Sequence, residues 1–230
     1  ASDYFPQLYE YALVLIRKGL AYVCHMSQAE VALSRGGDDN GPRFDSPWRN
    51  RPIAENLAEF ERMRRGEYKT GEATLRLKQD MHSGNPFMWD LVAYRVMNEA
   101  VHCRTGAAWH IYPMYDFTHC LCDSIENITH SMCTTEFINA REAYYWVCDA
   151  VGVYKAVQWE YGRLNITNTV LSKRKLTKLV EAGVIRSWDD PRVYTLAALR
   201  RRGFTPRAIN SFVEELGVTT AFSVVDVAKL

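Results

Sequence analysis

Apolar residues recur at helical spacing in several parts of the chain. Over residues 4–18 they fall every three to four positions, and Gly19 follows as a natural helix end. Ser27 with Glu30 three residues later has the spacing of a capping box, which predicts the start of a second helix. Further helices are predicted over residues 52–66, 118–130 and 141–152, and over three short stretches after residue 175.

Strands are predicted where polar and apolar residues alternate or where short apolar runs occur. These segments are residues 73–80, 92–96, 109–116, 131–137 and 157–170. The region from about 110 to 165 therefore has a βαβ-like order, for which we expect a mixed sheet flanked by helices. Alone it has too few strands for a stable doubly wound sheet, so we expect one half of a nucleotide-binding fold.

Composition narrows the class of protein. The chain has 230 residues, of which 47% are hydrophobic, so it is long and apolar enough for a sizeable core. Its net charge of +1 gives no global attraction to nucleic acid, and no apolar run is long enough to cross a bilayer. None of the six cysteines forms a CxxC pair, which predicts reduced thiols in a cytosolic protein. Because the chain begins directly at a helix-cap signal, we expect a segment of something longer.

The densest group of short polar side chains lies between Tyr112 and Phe137. Such groups need hydrogen-bond partners, and a bound ligand or surface water would each supply them. The histidines and cysteines of this stretch also allow a zinc interpretation. Cys120 and Cys122 are flanked by apolar residues and lack the usual ligand spacing, so buried thiols are favoured and no metal site is predicted.

The run VLSKRKLTKLV (170–180) places lysines and an arginine at a predicted helix start. Cations are disfavoured there, because the helix dipole leaves positive partial charge at its first turn. Ser172, the N–H groups of the first turn and Lys173 together would suit a polyphosphate. A solvated basic helix is the alternative.

The sequence resembles a known family at this motif and at three others. LSKRKL is similar to the second signature motif, the KMSKS loop, of class I aminoacyl-tRNA synthetases, in the form typical of their glutaminyl and eukaryotic-type glutamyl branch. The other similar runs, in the same order, are IYPMYDFTHC with DSIENITHS, QWEYGRLN, and WDDPR with LRRRG. The resemblance extends almost from Ala1 to about Thr219, and YDFTHC followed by ITHSMCT resembles the glutaminyl members.

The resemblance implies an α/β fold, the second half of a class I synthetase Rossmann-type nucleotide-binding fold. It also implies an inserted α+β acceptor-stem domain and a C-terminal helical subdomain. The expected parts are a helix leaving the first Rossmann half (1–22), the acceptor-stem-binding insertion (23–110), the second half of the catalytic domain (111–165), and the signature loop with the helical subdomain (166–230). We expect the first signature motif and the anticodon-binding part outside these residues, and the segment alone to be inactive.

The function implied is ATP-dependent attachment of L-glutamine to tRNA(Gln) through a glutaminyl-adenylate, in the cytoplasm and without a membrane partner. ATP is a substrate, with Mg²⁺ expected on its phosphates. A glutamyl-tRNA synthetase of the same branch and a tRNA-binding paralogue that does not aminoacylate are the alternatives. The family pattern does not say whether the protein joins a multi-synthetase assembly.

The resemblance also implies roles for individual residues. Residues matching glutamine contacts are Tyr115, His119 and Gln158. Residues matching ATP contacts are Thr134, Arg163, Leu164, Leu171, Ser172 and Lys173, of which Ser172 and Lys173 are the catalytic pair. Asn139 and the Gly- and Asp-rich loop 35–47 depart from the bacterial pattern, so acceptor-stem contacts are not transferred to them.

Overall fold

The structure is a computed structural model that describes all residues from Ala1 to Leu230, and the chain divides into two compact units. The first unit comprises Ala1–Ser131 and Glu136–Trp159, and the second comprises Met132–Thr135 and Glu160–Leu230. The four-part division drawn from the family resemblance stays a prediction.

The helices and strands follow the order expected of a mixed α/β chain. The helices are α1 (Phe5–Arg17), α2 (Gln28–Ser34), α3 (Ile53–Arg64), α4 (Tyr115–Ile125), α5 (Ala140–Val151), α6 (Lys173–Glu181), α7 (Leu196–Arg201) and α8 (Pro206–Leu216). The strands are β1 (Ala21–Cys24), β2 (Thr74–Leu77), β3 (Val92–Val96), β4 (Ile111–Pro113), β5 (His130–Thr134), β6 (Val157–Tyr161), β7 (Leu164–Ile166) and β8 (Ser223–Val225). None of the helices has the length and apolar character needed to span a bilayer.

The first unit is built on an antiparallel sheet of strand order β1-β2-β3-β4. Helix α1 buries Leu8, Leu15 and Ile16 completely in the core, at the three-to-four-residue spacing that predicted the helix. Gly19 follows it with φ +69, a left-handed conformation that glycine adopts without strain. The capping box at α2 is also confirmed, because Ser27 and Glu30 exchange both hydrogen bonds.

Several predicted elements differ from those in the structure. The segment 157–170, predicted as one strand, contains the two strands β6 and β7, which belong to different sheets. The strand expected over 109–116 is only Ile111–Pro113, and α4 begins at Tyr115, three residues before the predicted start at 118. Helix α4 begins earlier than predicted because its buried face includes Phe117 as well as Leu121, and both residues are fully buried. Strand β1 was not predicted, since all four of its residues are buried and show no alternation.

The strands on either side of α4 belong to different sheets, which corrects the expectation of one mixed sheet over residues 110–165. Strand β4 pairs with β3, with Val96 opposite Ile111. Strand β5 instead forms a two-stranded sheet with β6. Strand β3 lies before residue 110. The pairing of β4 therefore could not be predicted from the 110–165 region alone.

The second unit contains a short parallel pair of strands and a helical tail. Leu164 lies opposite Ser223 and Ile166 opposite Val225. Just before β7, a Cβ at Gly162 would overlap the carbonyl oxygen of Ala221, so the close approach requires glycine. The small core of this unit consists of Leu176, Ile185, Val193 and Ala198.

The WDDPR segment (188–192) forms the turn that its sequence predicts. The Asp190 carboxylate accepts two hydrogen bonds from the Arg192 guanidinium, at 2.9 and 2.8 Å, and one from the Arg192 backbone N–H. These bonds hold the pKa of Asp190 well below its usual range. The segment therefore has a structural explanation, a turn between α6 and α7 closed by its own ion pair.

Candidate functional site

The three residues predicted to contact the amino acid come together in the first unit. Tyr115, His119 and Gln158 line one small cavity, here called the α4–α5 cavity, whose other lining residues are Asp116, Ala140 and Tyr144. Its volume is about 20 Å³, the scale of a small polar group rather than of a whole amino acid. The cavity therefore has room for a group of about the size of one water molecule.

Helix α4 places Tyr115 and His119 side by side. They lie four residues apart, so their side chains share one face of the helix. Their rings stack with centroids 5.1 Å apart and planes 25° apart. Tyr115 is 63% exposed, so a ligand can reach its phenol ring from solvent.

Three neighbours hold the His119 ring on its other sides. Its Nε2 lies 3.2 Å from Ser131 Oγ and 3.2 Å from Asp123 Oδ2. The ring of Tyr144 meets it edge-on, at 5.3 Å between centroids and 78° between planes. Tyr144 also donates a hydrogen bond to Asp123 Oδ2 at 2.9 Å, so one carboxylate steadies both aromatic residues.

The Asp123 carboxylate influences which tautomer His119 adopts. Carboxylate oxygens only accept hydrogen bonds, so their proximity favours a proton on Nε2. Ser131 Oγ lies within hydrogen-bond distance of the same nitrogen. With the proton on Nε2, the acceptor of a neutral imidazole is Nδ1.

Burial raises the pKa of two acidic groups that line the cavity. For Asp116 the main cause is desolvation, which the nearby His119 partly offsets. For Tyr144 the causes of the raised pKa are desolvation and then its hydrogen bond to Asp123. The raised pKa of Tyr144 keeps its hydroxyl protonated, and therefore a donor, at neutral pH.

Gln158 enters the cavity from β6. Its side chain is buried, and its backbone N–H donates to Tyr145 Oη at 3.0 Å. The Tyr145 hydroxyl in turn donates to the carbonyl of Ala156 at 3.2 Å. Helix α5 therefore fixes the strand position from which Gln158 reaches the cavity.

Sequence reasoning did not predict the contribution of α5 to this cavity. Ala140 and Tyr144 form its wall on that side, but the periodicity of 141–152 showed only an amphipathic helix. The spacing of Ala140 and Tyr144, four residues apart, matches the spacing of Tyr115 and His119 on α4. Nothing local in the sequence indicates that the two pairs face each other.

The residues predicted to contact ATP lie in the second unit, and two of them, Ser172 and Lys173, lie at the start of α6. Ser172 precedes the helix in an extended conformation, and its side chain makes no capping hydrogen bond, so the hydroxyl is not used to close the helix. Lys173 is the first helical residue and is exposed. An open cleft of about 540 Å³, here called the α6 cleft, is lined by Arg163, Ser172, Lys173, Arg174, Thr177, Lys178 and Glu181.

Arg163 and Leu164 also line a second cavity of this unit, about 410 Å³ in volume, beside β7 and α8. Both volumes are in the range of small-molecule sites. Thr134, the last residue of β5, and Leu171 line neither space. Arg163 therefore lines the α6 cleft together with Ser172 and Lys173, and it lines the second cavity together with Leu164.

No metal-binding cluster accompanies these residues. No three His, Cys, Asp or Glu side chains are grouped so as to hold a metal ion, and all six cysteines are free thiols. Glu181 is the one acidic residue that lines the α6 cleft. A divalent ion in this cleft would therefore depend on ligand oxygens from a bound phosphate.

The fold and both sites define a class of protein. The family model of the catalytic domain of class I tRNA synthetases specific for E and Q matches residues 1–230, and the chain belongs to this family. Its mixed α/β fold, with antiparallel and parallel strand pairs, is that of a fragment of a class I synthetase. A glutamate tRNA ligase from Elizabethkingia meningosepticum, crystallised with its amino acid, has the same fold, with a TM-score of 0.62 at 16% identity over 99% of this chain and 51% of that one.

The chain is also similar in sequence to curated glutamine–tRNA ligases. It is 58% identical over 229 residues to a probable glutamine–tRNA ligase of Schizosaccharomyces pombe and 56% identical over 233 residues to the glutamine–tRNA ligase of Saccharomyces cerevisiae, covering 100% of this chain in both cases. The enzyme of Rattus norvegicus is 57% identical over 221 residues, or 96% of this chain. The chain spans 28%, 29% and 27% of the lengths of these three relatives.

Proposed function

We propose that the full-length protein containing this chain attaches glutamine to tRNA(Gln) at the expense of ATP. The observation that carries the choice of amino acid is the lining of the α4–α5 cavity, which contains Asp116 but no lysine or arginine. A substrate carboxylate would meet the like charge of Asp116 there with no lysine or arginine beside it, whereas a neutral amide would meet no such repulsion. The names of the similar enzymes support the same choice.

The amide also matches the hydrogen-bonding groups. Its NH₂ group can donate to the acceptor nitrogen of His119, and its oxygen can accept from the hydroxyl of Tyr115. A site whose buried polar groups are matched to one partner discriminates by about 10⁴-fold or more against a partner that leaves them unpaired. His119 is suited to this role because Asp123 and Ser131 hold its ring in place.

The activation step requires charge stabilisation rather than a general base. The α-carboxylate of glutamine is already a nucleophile, and one of its oxygens attacks the α-phosphorus of ATP. A new O–P bond forms, the bond from the α-phosphorus to the oxygen bridging to the β-phosphate breaks, and pyrophosphate leaves. Lys173 supplies positive charge where negative charge develops on the phosphates, and Ser172 supplies a hydroxyl donor. The 2′-hydroxyl of the terminal adenosine of tRNA then attacks the activated carbonyl carbon. An ester C–O bond forms, the bond from that carbon to the phosphate oxygen of AMP breaks, and the hydroxyl proton passes to the departing phosphate.

The remaining parts of the proposal concern ATP, Mg²⁺, tRNA and location. Thr134, Arg163, Leu164 and Leu171 are proposed to contact ATP along with the signature-loop residues. Mg²⁺ would be held mainly by the phosphate oxygens of ATP, because the α6 cleft has no carboxylate cluster. We assign residues 23–110 to the tRNA acceptor stem, and the six free thiols support a reducing location such as the cytoplasm.

The test is aminoacylation of tRNA(Gln) and tRNA(Glu) transcripts by the full-length protein with glutamine and with glutamate. We expect glutaminyl-tRNA to form on tRNA(Gln) only in the presence of ATP. Preferential charging with glutamate would replace the proposal by glutamyl-tRNA synthesis. Binding of tRNA without charging by either amino acid would identify a paralogue that has lost the reaction.

A further inference from the structure

Helix α5 forms one wall of the α4–α5 cavity, yet its own sequence does not secure its beginning. Asn139 occupies the N-cap position but its side chain makes no capping hydrogen bond. The first turn contains Ala140, which lines the cavity, and Tyr144 follows one turn later on the same face. A small shift of this end of α5 would therefore move two lining residues together.

A residue more than fifty positions earlier in the chain holds this end of the helix. The Nδ2 group of Asn85 donates to the carbonyl oxygen of Asn139 and to Glu142 Oε2, both at 2.8 Å. The Asn85 Oδ1 atom accepts from the N–H of Phe87 at 3.0 Å. The orientation of the amide is well determined, because its NH₂ group faces two acceptors and its oxygen faces a donor.

Asn85 is itself held by the loop that carries it. Trp89 Nε1 donates to the carbonyl of Ser83 at 2.8 Å, which closes the loop on both sides of Asn85. Arg43, from the Gly- and Asp-rich loop 35–47, donates to the carbonyls of Met81 and His82 at 2.7 and 3.0 Å. Its guanidinium also stacks over the Trp89 ring, 4.4 Å from the centroid. The loop 81–89 is therefore fastened independently of α5.

We propose that Asn85 is a positioning residue for the amino-acid pocket: it fixes the first turn of α5 so that Ala140 and Tyr144 form the wall against which the glutamine amide binds. This inference rests on the proposed function of the α4–α5 cavity. It adds a residue of the predicted acceptor-stem insertion to the determinants of glutamine affinity. Asn85 does not line the cavity itself and acts through the helix.

The opposite end of α5 offers a matched comparison. Lys18, which follows α1, donates from Nζ to the carbonyls of Ala150 and Val151, at 2.7 and 3.5 Å. It therefore also fastens α5 with two hydrogen bonds from a distant part of the chain. Ala150 lies ten residues beyond Ala140, so loss of this contact should loosen the helix away from the cavity.

The experiment measures glutamine charging by the full-length protein at saturating ATP and tRNA, together with thermal unfolding. Asn85→Ala should raise KM for glutamine about fivefold to tenfold, the usual effect of losing one or two hydrogen bonds, with KM for ATP changed less than about twofold. Lys18→Met should lower the unfolding temperature comparably but leave KM for glutamine within about twofold of the wild type. The inference would be overturned if Lys18→Met raised KM for glutamine as much as Asn85→Ala does. It would also be overturned if Asn85→Ala did not raise this KM.

A rescue separates positioning from general destabilisation. Asn85→Asp places a carboxylate against Glu142 and should raise KM for glutamine further than Asn85→Ala does, because like charges repel. Adding Glu142→Gln restores a donor facing Asp at position 85 and should recover most of that loss; absence of recovery would count against the proposed contact. Charging of glutamate rather than glutamine by the wild type would refute the proposed function, and the same variants would then report on the KM of that amino acid.

Discussion

The His119 ring in the first unit and the Lys173 side chain in the second are held very differently. His119 has Ser131, Asp123, Tyr115 and Tyr144 around it, each at a defined distance. Lys173 is exposed at the start of a helix and lines a cleft of about 540 Å³. The first arrangement suits a group that must tell an amide from an acid, since recognition depends on fixed donors and acceptors. The second suits a group that supplies positive charge to a phosphate bound in an open cleft.

Because of this difference, substitutions at the two sites should have different effects. All of the substitutions below are made in the full-length protein. Changes at Lys173 should slow the chemical step with little effect on the choice of amino acid. Changes around His119 should alter glutamine affinity and selectivity with little effect on ATP.

The largest effect is expected for Lys173→Ala. Removing the positive charge that we propose for the reacting phosphates should lower the rate of glutaminyl-adenylate formation about 100-fold or more, with KM for glutamine nearly unchanged. Pre-steady-state measurement of adenylate formation checks this. Lys175→Ala is the control, because Lys175 is also exposed on α6 but does not line the cleft. Equal rates for Lys173→Ala and the wild type would refute the role of Lys173.

His119→Phe should have the next largest effect. Phenylalanine keeps a ring for the contacts with Tyr115 and Tyr144 but removes both nitrogens, so kcat/KM for glutamine should fall about 30-fold through lost hydrogen bonds. KM for ATP should stay unchanged. His130→Phe, at an exposed histidine of β5, should leave both constants near those of the wild type. If KM for ATP rose as much as KM for glutamine, the separation of the two sites would be wrong.

Gly162→Ala tests the packing of the second unit. The added Cβ would overlap the Ala221 carbonyl oxygen, so the chain must shift, at a cost of about 2 kcal/mol in the free energy of unfolding. Calorimetry should show a lower unfolding temperature, and KM for ATP should rise without a matching rise for glutamine. Gly84→Ala is the control, because nothing lies within 4 Å of a Cβ there. An unfolding temperature equal to that of the wild type would show that this approach is not a constraint.

The smallest effect is expected for Asp116→Asn and depends on pH. Burial raises the pKa of Asp116, so the folded chain holds this proton more tightly than the unfolded chain does. Ionisation therefore costs stability as the pH rises from below the unfolded pKa, about 3.9, through the raised folded value. Asn does not titrate, so Asp116→Asn should gain stability relative to the wild type as the pH rises from about 4 to about 7.

The measurement is the difference in unfolding temperature between Asp116→Asn and the wild type across that pH range. Asp39→Asn, in the exposed part of the loop 35–47, is measured beside it as the control for removing one carboxylate. A difference that shrinks as the pH rises would contradict a raised pKa at Asp116.

Local sequence patterns predicted the elements that local physics determines. The period of α1, the capping box of α2 and the glycine after α5 were all visible in the sequence, and Gly152 indeed has φ +88. Strands β1 and β8 were not, because their pairing partners lie far away in the chain and their short runs do not alternate. Tertiary pairing, and not propensity, makes these residues strands.

The residues of the candidate site divide in the same way, into those that local spacing predicts and those that depend on long-range contacts. The placement of Tyr115 and His119 on one face follows from their spacing alone once a helix is assumed. The contributions of Tyr144, Asn85 and Lys18 depend on contacts across many residues, which no local pattern records. Thr134 and Leu171 line neither described space of the second unit. The ATP contacts that the family resemblance implied stay predictions for all six residues.

The contrast between the two sites is tested most directly by one ratio, kcat/KM for glutamine over kcat/KM for glutamate. It should be measured on tRNA(Gln) for the wild type, His119→Phe and Lys173→Ala. We expect a ratio of about 10⁴ or more for the wild type, a similar ratio for Lys173→Ala despite its slow rate, and a much smaller ratio for His119→Phe. A wild-type ratio that favours glutamate, or a ratio that collapses in Lys173→Ala but survives in His119→Phe, would contradict the assignment of amino-acid selection to His119.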